Sequence, residues 1–482
     1  MHANTTMSSL ILVQRSVGKE LHEFEMKGIT TFSSSPVATI AKYTDDHADC
    51  AERAVSYRLK FLFEDGGHVV ATTAIKTLVR GSEHIFVSPH GISPSIHGCG
   101  SWSEPCGSLK EAATAQNASQ VVDNLRSFIL LPGRYMGLSN VGLDLQNTSI
   151  VIESAAGPAK TILDCNDEAY GISLHHSVAS ISGITLERCR SPSGAGIKAV
   201  RSALNLSNCI LQKNTAAEDG AVGGALSLYE GSQVQITNSK ILNNHASKYG
   251  AGIYVHNSVL VMTSSSVSSN ALLSAGRGAG LSIFANSTVS VNSSSFSLNE
   301  GYFAGAIMLE RSSLRLSETH FTNNSANYGG ALVFVSSLGT LVDSVLEGNR
   351  ASQYGGVLLL ESAQAKIYSS HFFSNKATDG GVFYSSNSSI SVTTSNLSGN
   401  AAATNGGVLA YVDCANDSKK FCKSVLSVSE TTVTANSARY GGAFFLKAVD
   451  ATFRSTQIEG KTTFVFPSFS IIFVLTYLVL TR

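Results

Sequence analysis

The side chains best suited to chemistry in this chain lie within one short stretch. Asp144, Asp164, Asp167 and Glu168 precede Arg188 and Arg190. Carboxylates can hold calcium, and a basic residue beside them can abstract a proton. The plainer reading is solvated turn acids with basic side chains flanking a strand, and it is preferred here. His175 and His176 sit in an alternating pattern and point to opposite faces, so they do not form a metal pair. There is no CxxC spacing, P-loop, Gly-x-Ser-x-Gly or Gly-Gly-x-Gly-x-Asp calcium repeat. No catalytic, metal-binding or cofactor-binding residue is assigned, and no cofactor is expected.

A second candidate set is aromatic. Tyr249, Tyr302, Tyr328, Tyr354 and Tyr440 stand just ahead of glycine-rich corners, a spacing that stacks them along one edge. Such a stripe could bind glycans; packing over the glycine corners is the favoured alternative. Trp102 is the lone tryptophan, so no tryptophan platform for sugars is evident.

Those residues must be positioned by a repeat. The second glycine of each Gly-Gly or Gly-Ala-Gly recurs at Gly196, Gly224, Gly252, Gly280, Gly305, Gly330, Gly356, Gly381, Gly407 and Gly442. Most steps lie between 25 and 28 residues, the last being 35. An apolar-x-x-Asn motif ends at Asn214, Asn244, Asn270, Asn299, Asn324, Asn349, Asn375, Asn400 and Asn436. Between these marks lie apolar runs of four to six residues, separated by Ser, Asn and Gly. Runs that short predict strands. A unit of this size cannot bury its apolar face alone, so the units are expected to stack. In such a stack the glycines permit close approach of neighbouring coils, and the asparagines form a ladder between them. Phe296, Phe321 and Phe372, three residues before their asparagines, are expected to fill the interior. What this register supports is an architecture, not a site.

The remaining composition bounds the setting. Of 482 residues, 34 are Lys or Arg and 34 Asp or Glu, a neutral balance that excludes the basic footprint of a nucleic-acid binder. The eight cysteines are Cys50, Cys99, Cys106, Cys165, Cys189, Cys209, Cys414 and Cys422. Loop-closing disulfides Cys99–Cys106 and Cys414–Cys422 are expected, which implies an oxidising compartment. Ten Asn-x-Ser/Thr sequons, at Asn4, Asn117, Asn147, Asn205, Asn286, Asn292, Asn323, Asn387, Asn396 and Asn416, point the same way. The first 27 residues do not read as a secretory signal peptide, so an upstream start is expected. Phe464 to Leu480 is uncharged and almost wholly apolar. A terminal membrane helix is the first reading, with a glycolipid-anchor signal or a buried strand as alternatives.

The alternation of FxxN with GGA[ILVF] resembles the polymorphic outer-membrane-protein repeat over about residues 183–461. Upstream, HIFVSPHG, GCGSWSEPCGSLKEAAT, FILLPGRYMGL, SIVIESAAGPAKTILDC and SISGITLERC resemble the opening of a pectate-lyase-type β-helix. That likeness implies a short helix over SLKEA, N-capped by Ser108, closing the apolar end. The expected fold is all-β, a right-handed parallel β-helix of about ten to twelve coils. Its divisions are 1–84, an N-terminal segment that could end another β domain; 85–187, the capped opening; 188–461, the repeat; and 464–480, the apolar tail. Motifs of the polygalacturonase type (NTD, a DD pair, GHG and RIK) are missing from the repeat region. The functional expectation is a non-enzymatic surface protein for adhesion, glycan binding or envelope structure. Glycans or surface proteins are the expected partners, with the membrane engaged through the tail. The alternative is a carbohydrate-active β-helix enzyme, a polysaccharide lyase or glycoside hydrolase, which would require several carboxylates facing one groove.

Overall fold

The computed structural model describes residues 10–17, 20–25, 55–62, 68–71, 84–92, 99–115, 125–411, 424–447, 449–459, 463–465 and 471–474. The chain divides into two units, residues 1–83 and 84–482. The first contains four antiparallel strands, Leu10–Val17, Glu20–Glu25, Val55–Leu62 and His68–Ala71.

The second unit is a parallel β-helix. Sheet 1 has 15 strands, and sheets 2 and 3 have 13 each. One coil runs from His320–Thr322 in sheet 2, past Asn324, through the short strand Ser325–Tyr328, and over Gly329 and Gly330. It continues along Leu332–Val335 in sheet 3 and Leu338–Val342 in sheet 1, and then begins the next coil with Val345–Glu347. Each strand pairs in parallel with its equivalent one coil away, Leu332 with Leu358 for example. Leu332, Phe334, Leu341 and Leu346 point inward and are buried, as are Phe296, Phe321 and Phe372. The rings of Phe296 and Phe321 stack at 5.1 Å.

Three columns of side chains hold the corners. Each corner leaves backbone groups that no sheet can satisfy, and burying them unpaired would be costly. The first column is the expected asparagine ladder. Asn299 donates from its backbone N–H and from Nδ2 to Oδ1 of Asn324, at 3.1 and 3.0 Å. Nδ2 of Asn324 also reaches back 2.9 Å to the carbonyl of Phe296. The same pattern runs from Asn214 to Asn436, and every rung but the last is fully buried. The other two columns are serine and threonine. Between sheets 3 and 1, the N–H of Ser312 donates 3.2 Å to Oγ of Ser337, whose hydroxyl donates to the carbonyl of Val335. Between sheets 1 and 2, Ser344 and Ser370 repeat that arrangement.

The two glycines of each pair do different jobs. Gly329 has φ 62°, a left-handed conformation that glycine adopts without steric cost. Gly330 lies against the next coil, and a Cβ there would run into the carbonyl oxygen of Gly356 and the backbone of Arg350. Where the sequence loses the first glycine, Ala304 adopts the same left-handed conformation, φ 56°.

The solenoid is closed at one end as the family likeness implied. Leu109–Ala115 forms one helix, with Ser108 Oγ accepting from the Glu111 N–H at 3.2 Å. Leu109 and Ala112 are buried. At the other end, Thr463–Val465 extends sheet 3 and Ile471–Val474 extends sheet 1. The described part of the apolar tail is therefore strand. No helix among the described residues is long and apolar enough to cross a membrane.

Removing one rung in mid-stack, Asn324→Ala, deletes several buried bonds at about 1 kcal/mol each and should cost about 3 kcal/mol in denaturant unfolding. Asn436→Ala, at the last and least deeply buried rung, should cost less. Gly330→Ala should destabilise more than Gly399→Ala, where nothing lies within 4 Å and only the left-handed backbone, worth about 1 kcal/mol, opposes the methyl.

A candidate functional face and a closed ion-pair cluster

Side chains that point out of a solenoid normally meet solvent. In sheet 3 many do not. Tyr254, Met308, Val333 and Leu359 alternate with core residues and point away from the interior, yet they are buried. The cause is the bend at the glycine pair. It turns the chain ahead of the glycines toward the outer face of sheet 3, so that outward side chains of both segments meet in a concave trough. Tyr249, Phe303, Tyr328 and Tyr354 form one wall, and Tyr229, Tyr254, Phe284 and Tyr384 the other.

The rings form a near-continuous column. Tyr249 packs on Phe284 at 4.8 Å, Phe303 stacks on Tyr328 at 4.7 Å, and Tyr354 stacks on Tyr384 at 4.3 Å. Tyr302 meets Tyr328 edge-on at 5.7 Å. Cations lie over the outer rings, with Lys248 5.3 Å from the Tyr249 centroid and Arg277 5.3 Å from that of Phe303. Burial pushes the Tyr254 hydroxyl well above the usual phenol range, raises that of Tyr229, and lifts Tyr384 to about 12. These rings stay neutral under ordinary conditions, presenting apolar faces with hydroxyl donors between them.

Of the tyrosines singled out in the sequence, Tyr249, Tyr302, Tyr328 and Tyr354 are half-buried and lie together, whereas Tyr440 is 45% exposed. Tyr229, Tyr254, Phe284, Phe303 and Tyr384 were missed. Phe303 precedes its glycine; the signal for the other four is the strand after each glycine pair, which reads LVFV or LLLE where a one-sided strand would alternate. Trp102 is 64% exposed and meets Phe86 edge-on at 5.3 Å, away from this face.

The charged candidates converge only in part. Asp164 is fully buried and is held by Arg134 and by Arg188, whose Nε donates to Oδ1 at 2.8 Å. Arg134 also bridges to Glu187 at 2.8 Å, and Gln212 donates 2.6 Å to the same carboxylate. Burial alone would raise the pKa of Asp164. Hydrogen bonds from Arg188, the Asn166 N–H and Arg134 outweigh it and hold the carboxyl below the usual range. Each acid is thus neutralised by its neighbours, which suits a structural clasp. Asp144, by contrast, accepts a bond from Gln146, and Glu168 one from Asn166. Among the described residues, no group of three or more His, Cys, Asp or Glu side chains could hold a metal ion.

The clasp adjoins a disulfide the spacing did not single out. Cys165 and Cys189 are bonded, 24 residues or one coil apart. Cys189 stands in the asparagine column, its N–H donating 2.9 Å to Asn214 Oδ1. The ladder therefore begins on a covalent rung. The expected Cys99–Cys106 disulfide is present. Cys414 and Cys422 lie outside the described residues, and Cys209 is a buried free thiol.

The family model described as right handed beta helix region matches residues 139–325. No curated protein matches the chain. Solved structures with a similar course include the A-module of mannuronan C-5 epimerase AlgE6 from Azotobacter vinelandii, at 14% identity and TM-score 0.38, covering 78% of this chain and 96% of that one. The periplasmic alginate epimerase AlgG is 10% identical with TM-score 0.35, covering 70% and 79%. A family 28 exopolygalacturonase from Yersinia enterocolitica is 8% identical with TM-score 0.24, covering 95% of both chains. None of them lends a residue role to this chain.

Asp164→Asn should lower stability by about 2 kcal/mol, less than for a fully buried pair because both arginines are partly exposed. With its native pKa depressed, Asp164 stabilises the fold above its unfolded pKa and loses that contribution as pH falls through the native value. The stability gap between wild type and Asp164→Asn, followed by thermal melts, should therefore shrink on acidification below about pH 4.

Proposed function

We propose that this chain is a non-enzymatic extracellular or cell-surface β-helix protein that binds glycans through the aromatic trough, in an adhesive or envelope role. The observation that carries the reading is the column of buried and half-buried rings on an outward-facing concave surface. Aromatic faces offer apolar contact to the C–H faces of sugar rings, while tyrosine hydroxyls and the flanking cations supply hydrogen bonds. Because the column repeats coil by coil, a chain-like ligand could meet several equivalent contacts, each weak alone and additive along the rod. The repeat register fits a surface protein of the polymorphic outer-membrane-protein type. The two disulfides favour an oxidising setting. Retention at the membrane through residues 464–480 belongs to the same proposal. The paired state of the clasp argues against Asp164 as an acid or base, because a proton-transfer group needs a free site to act.

The proposal predicts that the full-length protein is retarded in gels containing a bound polysaccharide and leaves that polysaccharide intact. Tyr354→Ala with Tyr384→Ala should weaken retardation roughly tenfold per lost stacking contact, with the circular dichroism unchanged. Release of reducing or unsaturated ends, abolished by Asp164→Asn in protein that remains folded, would instead make the chain an enzyme.

A further inference from the structure

Seven sequons fall on residues whose exposure the structure describes, and it sorts them. Asn147, Asn205, Asn286, Asn292, Asn323 and Asn387 are exposed; Asn396 is half-buried. Asn147, Asn286 and Asn387 occupy the turn from sheet 3 to sheet 1, with φ of 49°, 59° and 46°. Asn205 and Asn292 stand on sheet 1, and Asn323 turns outward beside rung Asn324. Asn396 lies within the sheet 2 strand Asn396–Ser398, and its Oδ1 is sealed from solvent without a hydrogen-bond partner. No described sequon falls on either wall of the trough.

A plain structural demand accounts for some of this, since asparagine tolerates left-handed turns. That demand explains the asparagine and not the hydroxyl two residues later. Asn257 occupies the same turn, φ 47°, without completing a sequon. Nor does it explain Asn205 and Asn292, which lie in strands.

We propose that the six exposed asparagines carry N-linked glycans, which clothe the sheet 1 side and the outer corners and leave the aromatic trough bare. The inference rests on the extracellular reading. Asn286 and Asn387 are four coils apart along one edge, about 19 Å at strand spacing, which leaves room for separate glycans. A bulky hydrophilic layer over the sheet 1 side and the outer corners would keep the rods soluble and direct contact to the bare apolar face.

The test uses the full chain isolated from its native cells. Peptide-N-glycosidase in isotopically heavy water converts each glycan-bearing asparagine to a labelled aspartate, which peptide mapping locates. A parallel sample of intact cells is treated with protease. Label at most of the six sites and none at Asn396 is expected, on protein that the protease removes. Surface protein with label at none or only one or two of the six overturns the glycan coat while the extracellular reading stands. Label at Asn396 overturns the sorting by exposure. Unlabelled protein that the protease cannot reach overturns both.

Discussion

Everything in this molecule depends on satisfying the backbone at the corners. Strands in a parallel stack satisfy one another, but each bend leaves an N–H and a carbonyl pointing along the axis inside an apolar tube. At three of the corners a column of short side chains fills that gap, each rung accepting from a backbone N–H of the neighbouring coil and donating to a backbone carbonyl. Asn324 does so with both ends of its amide, Oδ1 accepting from the Asn299 N–H and Nδ2 donating to the Phe296 carbonyl, and Ser337 with one hydroxyl. The polar groups are buried but fully engaged, and that is the condition under which a buried polar network rigidifies a fold. It also fixes register, because a strand shifted by one residue would leave a rung without its partner.

The trough follows from the same geometry. A corner built on Gly329 and Gly330 is tight enough to bring two outer surfaces face to face. A second apolar layer then forms outside the tube, built largely of aromatic rings. The clasp of Arg134, Asp164, Arg188 and Glu187 solves a related problem at the beginning of the asparagine column, where the Cys165–Cys189 bond and ion pairs stand in for rungs. Chemistry-bearing residues are present there, but they are engaged with one another.

The repeat was legible because its two marks are chemically narrow. Only glycine fits against Gly356 at position 330, and a side-chain amide both donates and accepts, as a rung such as Asn324 requires, so each leaves a periodic trace. The serine columns were not legible, since Ser337 and Ser370 are lost among many surface serines that do nothing comparable. The Cys165–Cys189 bond could have been read from its one-coil spacing, but the eye falls first on cysteines close in sequence. Half of the aromatic face was visible in Tyr249, Tyr302, Tyr328 and Tyr354. The other half was hidden because Tyr254 and Tyr384 lie in strands whose apolar runs look like core. Whether an outward residue is buried depends on the angle between two segments, and a sequence does not state angles.

The ladders have a mechanical meaning as well. Each coil is joined to the next by one full set of axial bonds, so a pull on the two ends loads the coils in series and the weakest interface yields first. A coil that detaches shortens the rod by only about 4.8 Å but releases about 25 residues, roughly 85 Å of extended chain. A rod tethered at one end and gripped at the other would therefore lengthen in steps under load, dissipating work at each step while the remaining coils stay folded. The covalent rung at Cys165–Cys189 would carry the load past the coil it closes and keep those residues from extending.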